Sequence, residues 1–371
     1  MEPYVPELLP LKSIDWEKHI SLIGKANAAL ARYDGILLGI INPEVMLSPL
    51  TAQEAVLSSR IEGTQASLGD VLQYEAEGPY GDEDQKDDRI RDIHEIINYR
   101  KAMAVAVQEL DKRSLTTNMI RELHRILLAG VRGRNKDPGE IRRIQNYIAP
   151  PGTPIERAIF IPPAPPLIMD ALSNWEFYLH SEEKDPLVQL AIIKAQFELI
   201  HPFLDGNGRI GRMLVPLILY RKGLLSRPTF YISSYLERNR DVYYEHLLKI
   251  SQNRDWDGWI AFFLKALMEQ SEENSKKAIA IINLYNKMKD QVPEITRSKH
   301  SIQAIDAMFY RPIFNSNYFI KKSGIRKMTA MRILRGLAEN GVLVILRKGQ
   351  GRKPAIYGFM QLLDITERVE T

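Results

Sequence analysis

His201-Pro-Phe-Leu-Asp-Gly-Asn-Gly-Arg-Ile-Gly-Arg212 is the stretch on which the reading of this chain turns. Upstream of it, Asp185-Pro186 has the form of a helix N-cap and first helical residue, and Leu187, Leu190, Ile193, Phe197 and Ile200 recur at helical spacing. Pro202 forbids continuation, so His201 closes that helix. Downstream, Arg212-Met-Leu-Val-Pro-Leu-Ile-Leu-Tyr220 is an apolar helix too short for a membrane and suited to the centre of a bundle, with Pro216 expected to kink it. The stretch is therefore a loop between two core helices, which makes the domain around it mainly α.

The same loop carries chemistry. Gly206-Asn207-Gly208 immediately precedes a helix, where glycine lets backbone N–H groups turn inward around an anion and the helix N-terminus adds its partial positive charge. Arg209 and Arg212 share one face of the first turns and offer two guanidinium forks to phosphate oxygens. Asp205 supplies a hard oxygen suited to Mg²⁺, and His201 is the nearby group that takes a proton from an attacking hydroxyl near neutral pH. Taken singly, each residue has a plainer structural reading. Base, metal ligand, cradle and cations in one segment point together to phosphoryl-group chemistry by positioning and electrostatics.

These residues resemble the signature of the Fic family, His-Pro-Phe-x-Asp/Glu-Gly-Asn-Gly-Arg-x-x-Arg, at every specified position. The resemblance implies a Fic helical bundle with a β-hairpin flap, ATP as co-substrate and Mg²⁺ on Asp205. His201 would deprotonate a Tyr, Thr or Ser hydroxyl of a protein target or of the chain itself. The phosphates would lie on Gly206, Asn207, Gly208, Arg209, Ile210, Gly211 and Arg212, AMP would be transferred and pyrophosphate released. The likeness runs from about Arg89 to Trp259 and includes Pro138-Gly-Glu-Ile-Arg-Arg143, Gln145-Asn146 and Ile159-Phe-Ile-Pro-Pro163. In the family this last segment is the flap that pairs with the target peptide, which assigns target docking to Ile159, Phe160 and Ile161. The segment from Tyr231 to Tyr244 resembles the region near the adenine, with Tyr243 and Tyr244 as base contacts.

A second match lies upstream. Ser58-Ser-Arg-Ile-Glu62-Gly63 fits the family's inhibitory pattern, Ser/Thr-x-x-x-Glu-Gly/Asn, so Ser58, Glu62 and Gly63 form the candidate brake. A Glu62 carboxylate paired with Arg212 would occupy the cation meant for the γ-phosphate. The capping-box spacing of Thr51 and Glu54 predicts its helix from about Ala52 to Ile61. The same Glu62 could orient a water and remove AMP from a modified protein, and the sequence does not separate transfer from removal.

The remaining chain sets the frame. The 371 residues predict more than one domain; 45% hydrophobic and 26% charged residues fit a globular protein, and a net charge of +4 does not by itself imply nucleic acid. Cysteine is absent, which excludes disulfides, thiolate metal sites and cysteine nucleophiles. The N-terminus lacks the form of a signal peptide and no segment suits a membrane span, so a cytoplasmic location is the expectation. The acidic run from Gly78 to Asp88 reads as an exposed connection. Three segments follow: an N-terminal helical region at 1–85, the core at 86–275, and a linker helix with a C-terminal domain at 276–371.

In that last domain three short helices precede Val342-Leu-Val-Ile-Leu346 and Ala355-Ile-Tyr-Gly-Phe359, which flank the basic run Arg347-Lys-Gly-Gln-Gly-Arg-Lys-Pro354. This resembles a winged helix-turn-helix domain. Its lysines and arginines suit a DNA backbone, and the competing reading is a homodimer or protein-docking module. The chain would then be an enzyme with an N-terminal brake, or a DNA-binding regulator whose Fic-like core senses nucleotide.

Overall fold

The computed structural model describes residues 2–78, 88–150 and 152–368. The expected acidic connection therefore lies outside the described residues except for Gly78 and Asp88. In chain order the helices are α1 (Trp16–Leu38), α2 (Pro43–Met46), α3 (Ser48–Ile61), α4 (Leu68–Glu77), α5 (Asp88–Leu110), α6 (Thr117–Leu127), α7 (Pro165–His180), α8 (Pro186–Ile200), α9 (Asn207–Arg221), α10 (Ser233–Arg238), α11 (Arg240–Asn253) and α12 (Trp256–Thr296). The C-terminal part continues with α13 (Ser301–Tyr310), β1 (Ile313–Asn315), α14 (Ser316–Ser323), α15 (Lys327–Glu339), β2 (Val344–Arg347), β3 (Ile356–Gly358) and α16 (Met360–Glu367). Among the described residues no helix is long and apolar enough to cross a membrane.

Packing divides the chain otherwise than chain order does. One unit comprises 1–34, 61–63 and 98–272; the other comprises 35–60, 64–97 and 273–371. The N-terminal helices α2 to α4 thus group with the C-terminal module, and only 61–63, which contains Glu62, is counted with the unit that holds the motif.

In the first unit, α8 is buried on every side from Leu187 to Ile200, its buried Gln189, Lys194, Gln196 and Glu198 included. Asp185 caps it, accepting from Leu187 N at 2.9 Å and Val188 N at 3.0 Å. Two indoles fix its neighbours: Trp175 of α7 donates to Ile193 O and Trp259 of α12 donates to Ala191 O, each at 2.8 Å. The helix ends at His201, whose left-handed backbone (φ 49°) turns the chain into the loop. After the loop, Gly206 in the same conformation (φ 78°) starts α9.

In the second unit the three strands lie in the order β1-β3-β2, all antiparallel, with Phe314 opposite Tyr357 and Ile345 opposite Tyr357 on its other side. The β2–β3 hairpin is the one expected from the sequence. The added strand β1 has the second strand of that hairpin as its partner.

Two local expectations are corrected. Thr51 and Glu54 do not form a capping box, because α3 begins at Ser48 with Pro49 in its first turn, and Thr51 Oγ1 instead donates back to Leu47 O at 3.2 Å. The box is formed at α4, where Ser67 and Asp70 bond reciprocally at 3.1 and 2.9 Å. The linker helix expected within 276–371 is the C-terminal part of one continuous helix of 41 residues, α12, which begins at Trp256.

Candidate active site

The loop from His201 to Gly206 is held from inside by Asn207. Its side-chain oxygen accepts from Phe203 N and its amide donates to Phe203 O, both at 2.9 Å. Asp205 Oδ1 accepts from Gly206 N at 2.6 Å and approaches Arg209 Nη2 at 3.4 Å. These bonds leave the first turn of α9, whose N–H groups have no partner within the helix, as the floor of the site.

A carboxylate already stands on that floor. Glu62 Oε1 accepts from Arg212 Nη2 at 2.6 Å, and the Arg212 side chain is wholly buried. A Cβ built on Gly208 would overlap the same Glu62 oxygen and come within 2.9 Å of Arg212 Nη1. The carboxylate therefore sits against the backbone of the glycine cradle, where an anion is favoured by both the helix N-terminus and the guanidinium. Burial alone pushes the Glu62 carboxyl up, but the Arg212 charge and hydrogen bond, with Arg209 and His201 behind them, outweigh burial and hold it below the ordinary carboxylate value. Arg212 responds in the opposite sense: burial lowers its pKa, and Glu62, followed by Tyr243, Tyr244 and Glu198, more than restores it.

His201 is half-buried beside this anion slot. Its Nδ1 lies 3.3 Å from Glu198 O, an atom that only accepts, so Nδ1 carries the proton and Nε2 keeps its lone pair. Burial lowers the imidazole pKa, and the Glu198 carbonyl and carboxylate only partly offset that. The side chain is thus neutral, with a lone pair on Nε2.

Several supports were not legible in the sequence as site residues. Arg142 donates through Nε to His201 O at 2.8 Å and through Nη2 to Pro163 O at 2.6 Å, while its backbone N donates to Pro202 O at 2.9 Å. One guanidinium thus ties the histidine to the root of the flap. The lone signal was the motif Pro138 to Arg143, which named the segment without naming the arginine.

His124 of α6 accepts from Gly139 N through Nδ1 and so must donate from Nε2 to Asp205 O, each at 2.8 Å, and its ring stacks on Phe203 at 3.8 Å. Burial pushes its pKa down to about 4, so it is a neutral strut. Its position on the buried face of α6 beside Ile120, Leu123 and Leu127 marks it as a core residue and hides its task.

Beneath the site Glu198 accepts from Tyr243 Oη at 2.5 Å and from Lys194 Nζ at 2.7 Å. Burial lowers the Lys194 pKa to about 8 against the pull of Glu198.

The other sequence-derived residues are placed as follows. Ile210 is buried in α9, and Gly211 lets α9 approach α8 so closely that a Cβ there would lie 2.8 Å from Glu198 Oε1. Tyr243 is completely buried and bonded to Glu198, whereas Tyr244 keeps 39% of its surface exposed, with Arg240 over its ring at 5.8 Å. The arms of the flap meet at one bridge, Ile148 to Phe160, with Ile148 N donating to Phe160 O and Ile159 N to Ile148 O, both at 2.8 Å. Ile159 is exposed, Phe160 and Ile161 are buried, and Ile161 O accepts from Tyr4 N at 2.8 Å. Ser58 is buried one turn before Glu62, and Gly63 turns the chain with φ 99°.

Asp205 is the single carboxylate of the loop, and among the described residues no group of three His, Asp or Glu side chains is placed to hold a metal. One hard oxygen fits an ion that arrives with phosphates and waters, not a site that holds a cation unaided.

Comparison with known proteins agrees with this geometry. Residues 20–108 match the Fic/DOC family N-terminal region and residues 114–219 match the Fic/DOC family. Protein adenylyltransferase Fic of Drosophila melanogaster is 33% identical over 183 residues, 47% of this chain and 32% of that protein. Protein adenylyltransferase fic-1 of Caenorhabditis briggsae is 31% identical over 143 residues, 36% of this chain and 25% of that protein. The chain thus spans a third or less of the length of these curated relatives.

Among solved structures, a Fic family protein from Desulfovibrio desulfuricans G20 superposes with a TM-score of 0.59 at 20% identity, covering 97% of this chain and 98% of that one. Fic-1 from C. elegans gives 0.51 at 22% identity, covering 71% and 73%. At these identities the likeness is one of fold. The protein carries a Fic/DOC domain preceded by the N-terminal region of the same family.

Proposed function

We propose that this protein transfers AMP from ATP to Tyr, Thr or Ser hydroxyls of proteins, itself included, and that Glu62 holds it in a resting state. The observation that carries the reading is a neutral histidine with a free Nε2 beside a helix N-terminus already occupied by a carboxylate. An anion slot and a base side by side are what attack of a hydroxyl on a phosphate requires. The names of the curated relatives point the same way.

In this reaction His201 Nε2 takes the proton of the target hydroxyl as its oxygen bonds to the α-phosphorus. The bond from that phosphorus to the bridging oxygen breaks, and pyrophosphate leaves. The N–H groups from Asn207 onward and the Arg209 and Arg212 guanidiniums bind phosphate oxygens. Arg142 and His124 hold the histidine and the loop in place without touching substrate. Asp205 would hold Mg²⁺, which supplies neutralisation of phosphate charge. Tyr244 is the ring available to the adenine, and the exposed edge at Ile159 is available to the target backbone. The ATP pose needs the Arg212 fork that Glu62 now fills.

The test is incubation of the Glu62→Gly chain with Mg²⁺ and ATP labelled either on the α- or on the γ-phosphate. Label from the α-position alone should enter protein, and His201→Ala should abolish it. If ATP binds tightly yet no label enters protein with any metal or lysate, the core is a nucleotide sensor.

A further inference from the structure

The residues that flank the brake belong to the same packed unit as the C-terminal module. Helix α4, which starts a few residues after Glu62, is fastened to the strands of that module. Asn315 of β1 donates to Ala76 O at 2.6 Å, Arg311 pairs with Glu75 at 3.5 Å, and Arg347 of β2 pairs with Glu77 at 3.7 Å. The start of α4 is fixed too, by the Ser67–Asp70 capping box and by Gln65 N donating to Asp92 at 2.7 Å. Only the short segment 63–67 joins this anchored helix to Glu62.

The module also presents a cationic surface that the proposed reaction does not use. On α15, Ala330, Ile333, Leu334 and Leu337 face inward, while Met328, 87% exposed, shares the outer face with Arg332 and Arg335. Arg326 and Lys327 stand exposed at its N-terminus. The turn between β2 and β3 adds exposed Lys348, Arg352 and Lys353. Among the described residues none of these cations has a carboxylate partner, so the surface is complementary to a polyanion.

We propose that this surface binds duplex DNA and that binding releases the Glu62 brake, an inference that rests on the anion slot being the ATP phosphate site. An α-helix with an exposed basic and Met face fits the major groove of B-form DNA, and the basic turn reaches the flanking phosphates. The major groove of an RNA duplex is too deep and narrow for such a helix. Arg347 is the link. It stands at the root of the basic turn, half-exposed, and its partner Glu77 is a carboxylate that an approaching phosphate backbone repels. DNA therefore takes Arg347 from Glu77 and loosens α4 from the strand. With one of its three ties to the module lost, α4 shifts as a unit, and 63–67 passes that shift to Glu62 and draws its carboxylate from Arg212. Coupling of this kind is reciprocal, so ATP in the slot must tighten DNA binding by the same factor.

The experiment uses the full chain, a labelled duplex DNA of mixed sequence and a binding assay for ATP that does not depend on turnover. DNA affinity should fall steeply with salt. Saturating DNA should tighten ATP binding by about tenfold, within the range usual for linked sites. In Glu62→Gly ATP should bind tightly with or without DNA. Glu77→Gln should raise ATP affinity without DNA and shrink the DNA effect. The combined Lys348→Ala, Arg352→Ala and Lys353→Ala variant should weaken DNA binding and leave ATP affinity in its absence unchanged.

DNA that binds while ATP affinity stays constant overturns the coupling. Equal affinity for duplex RNA, or a dimer that refuses DNA even at low salt, overturns the surface assignment. Tight ATP binding by Glu62→Gly without AMP transfer defeats the proposed reaction instead, and the DNA effect on ATP affinity still decides this inference.

Discussion

Replacing Glu62 by Gly removes one partner of an ion pair whose cation is completely buried and whose carboxylate is 34% exposed. Breaking a fully buried pair costs about 3–5 kcal/mol, whereas exposed pairs contribute about 0–1 kcal/mol. With one partner a third open to water, an intermediate figure of about 2–3 kcal/mol is reasonable. On the proposed reading, ATP in the wild type must overcome that interaction before its phosphate reaches Arg212. In the variant the opposition is gone, so AMP transfer at subsaturating ATP should rise by ~30–150-fold, at about 1.4 kcal/mol per factor of ten. The assay is the initial rate of α-label incorporation at ATP concentrations below the wild-type Kd.

The nucleotide-free variant should also melt at a lower temperature, because Arg212 is left buried and uncompensated, and ATP should restore more stability to it than to wild type. Labelling of both proteins at the same rate would refute the reasoning, since Glu62 would then not be competing for the slot.

Three further outcomes follow from the same contacts. Burial puts the His124 pKa at about 4, below the ordinary 6.5, so the folded state binds fewer protons than the unfolded chain between those values. Stability should be whole above pH 6.5 and fall by roughly 2–3 kcal/mol as pH drops toward 4; His124→Gln should flatten that part of a denaturation-versus-pH series. Arg142→Lys keeps a charge but loses the fork that joins His201 O to Pro163 O; it should lower kcat by ~10–100-fold with little change in ATP affinity, because the base is displaced and the phosphate slot is not. Gly208→Ala places a methyl where Glu62 Oε1 now lies; added to Glu62→Gly it should weaken ATP binding by at least about tenfold, since a phosphate oxygen cannot share that space.

The helices around the site were largely legible because their signals are local. Asp185-Pro186 marks the start of α8 and Pro202 its end, and the hydrophobic period between them is unambiguous. The loop from His201 into the first turn of α9 was legible for the same reason, since its glycines, Asn207 and arginines are contiguous. Arg142 and His124 were not legible as site residues. Each acts on a backbone carbonyl far along the chain, and no sequence pattern distinguishes a buried arginine that ties down His201 O from one exposed to solvent.

The tyrosine pair shows a different limit. Helical spacing identifies a buried ring and a surface ring one residue apart, but only the burial of Tyr243 and the exposure of Tyr244 tells which is which. The grouping of α2 to α4 with the C-terminal module was hidden most completely, because it depends on bonds such as Asn315 to Ala76, 239 residues apart.

The Glu62–Arg212 pair has a consequence for how this domain can be regulated. A carboxylate mimics a phosphate at this site for physical reasons: both are anions with oxygens spaced for a guanidinium fork, and both are favoured by a helix N-terminus. On the proposed reading, the site that takes the ATP phosphates is therefore also a site that binds its own glutamate well, and strengthening Arg212 strengthens both. Arg212→Lys would weaken inhibition and catalysis together, because the fork is lost to carboxylate and phosphate alike. Only a change on the other side of the pair separates them. Glu62 is attached by 63–67 to a helix fixed elsewhere, so its position can be altered without touching the phosphate site. If Glu62 acts as the proposed brake, that asymmetry makes the segment carrying it, not the motif, the place where control acts.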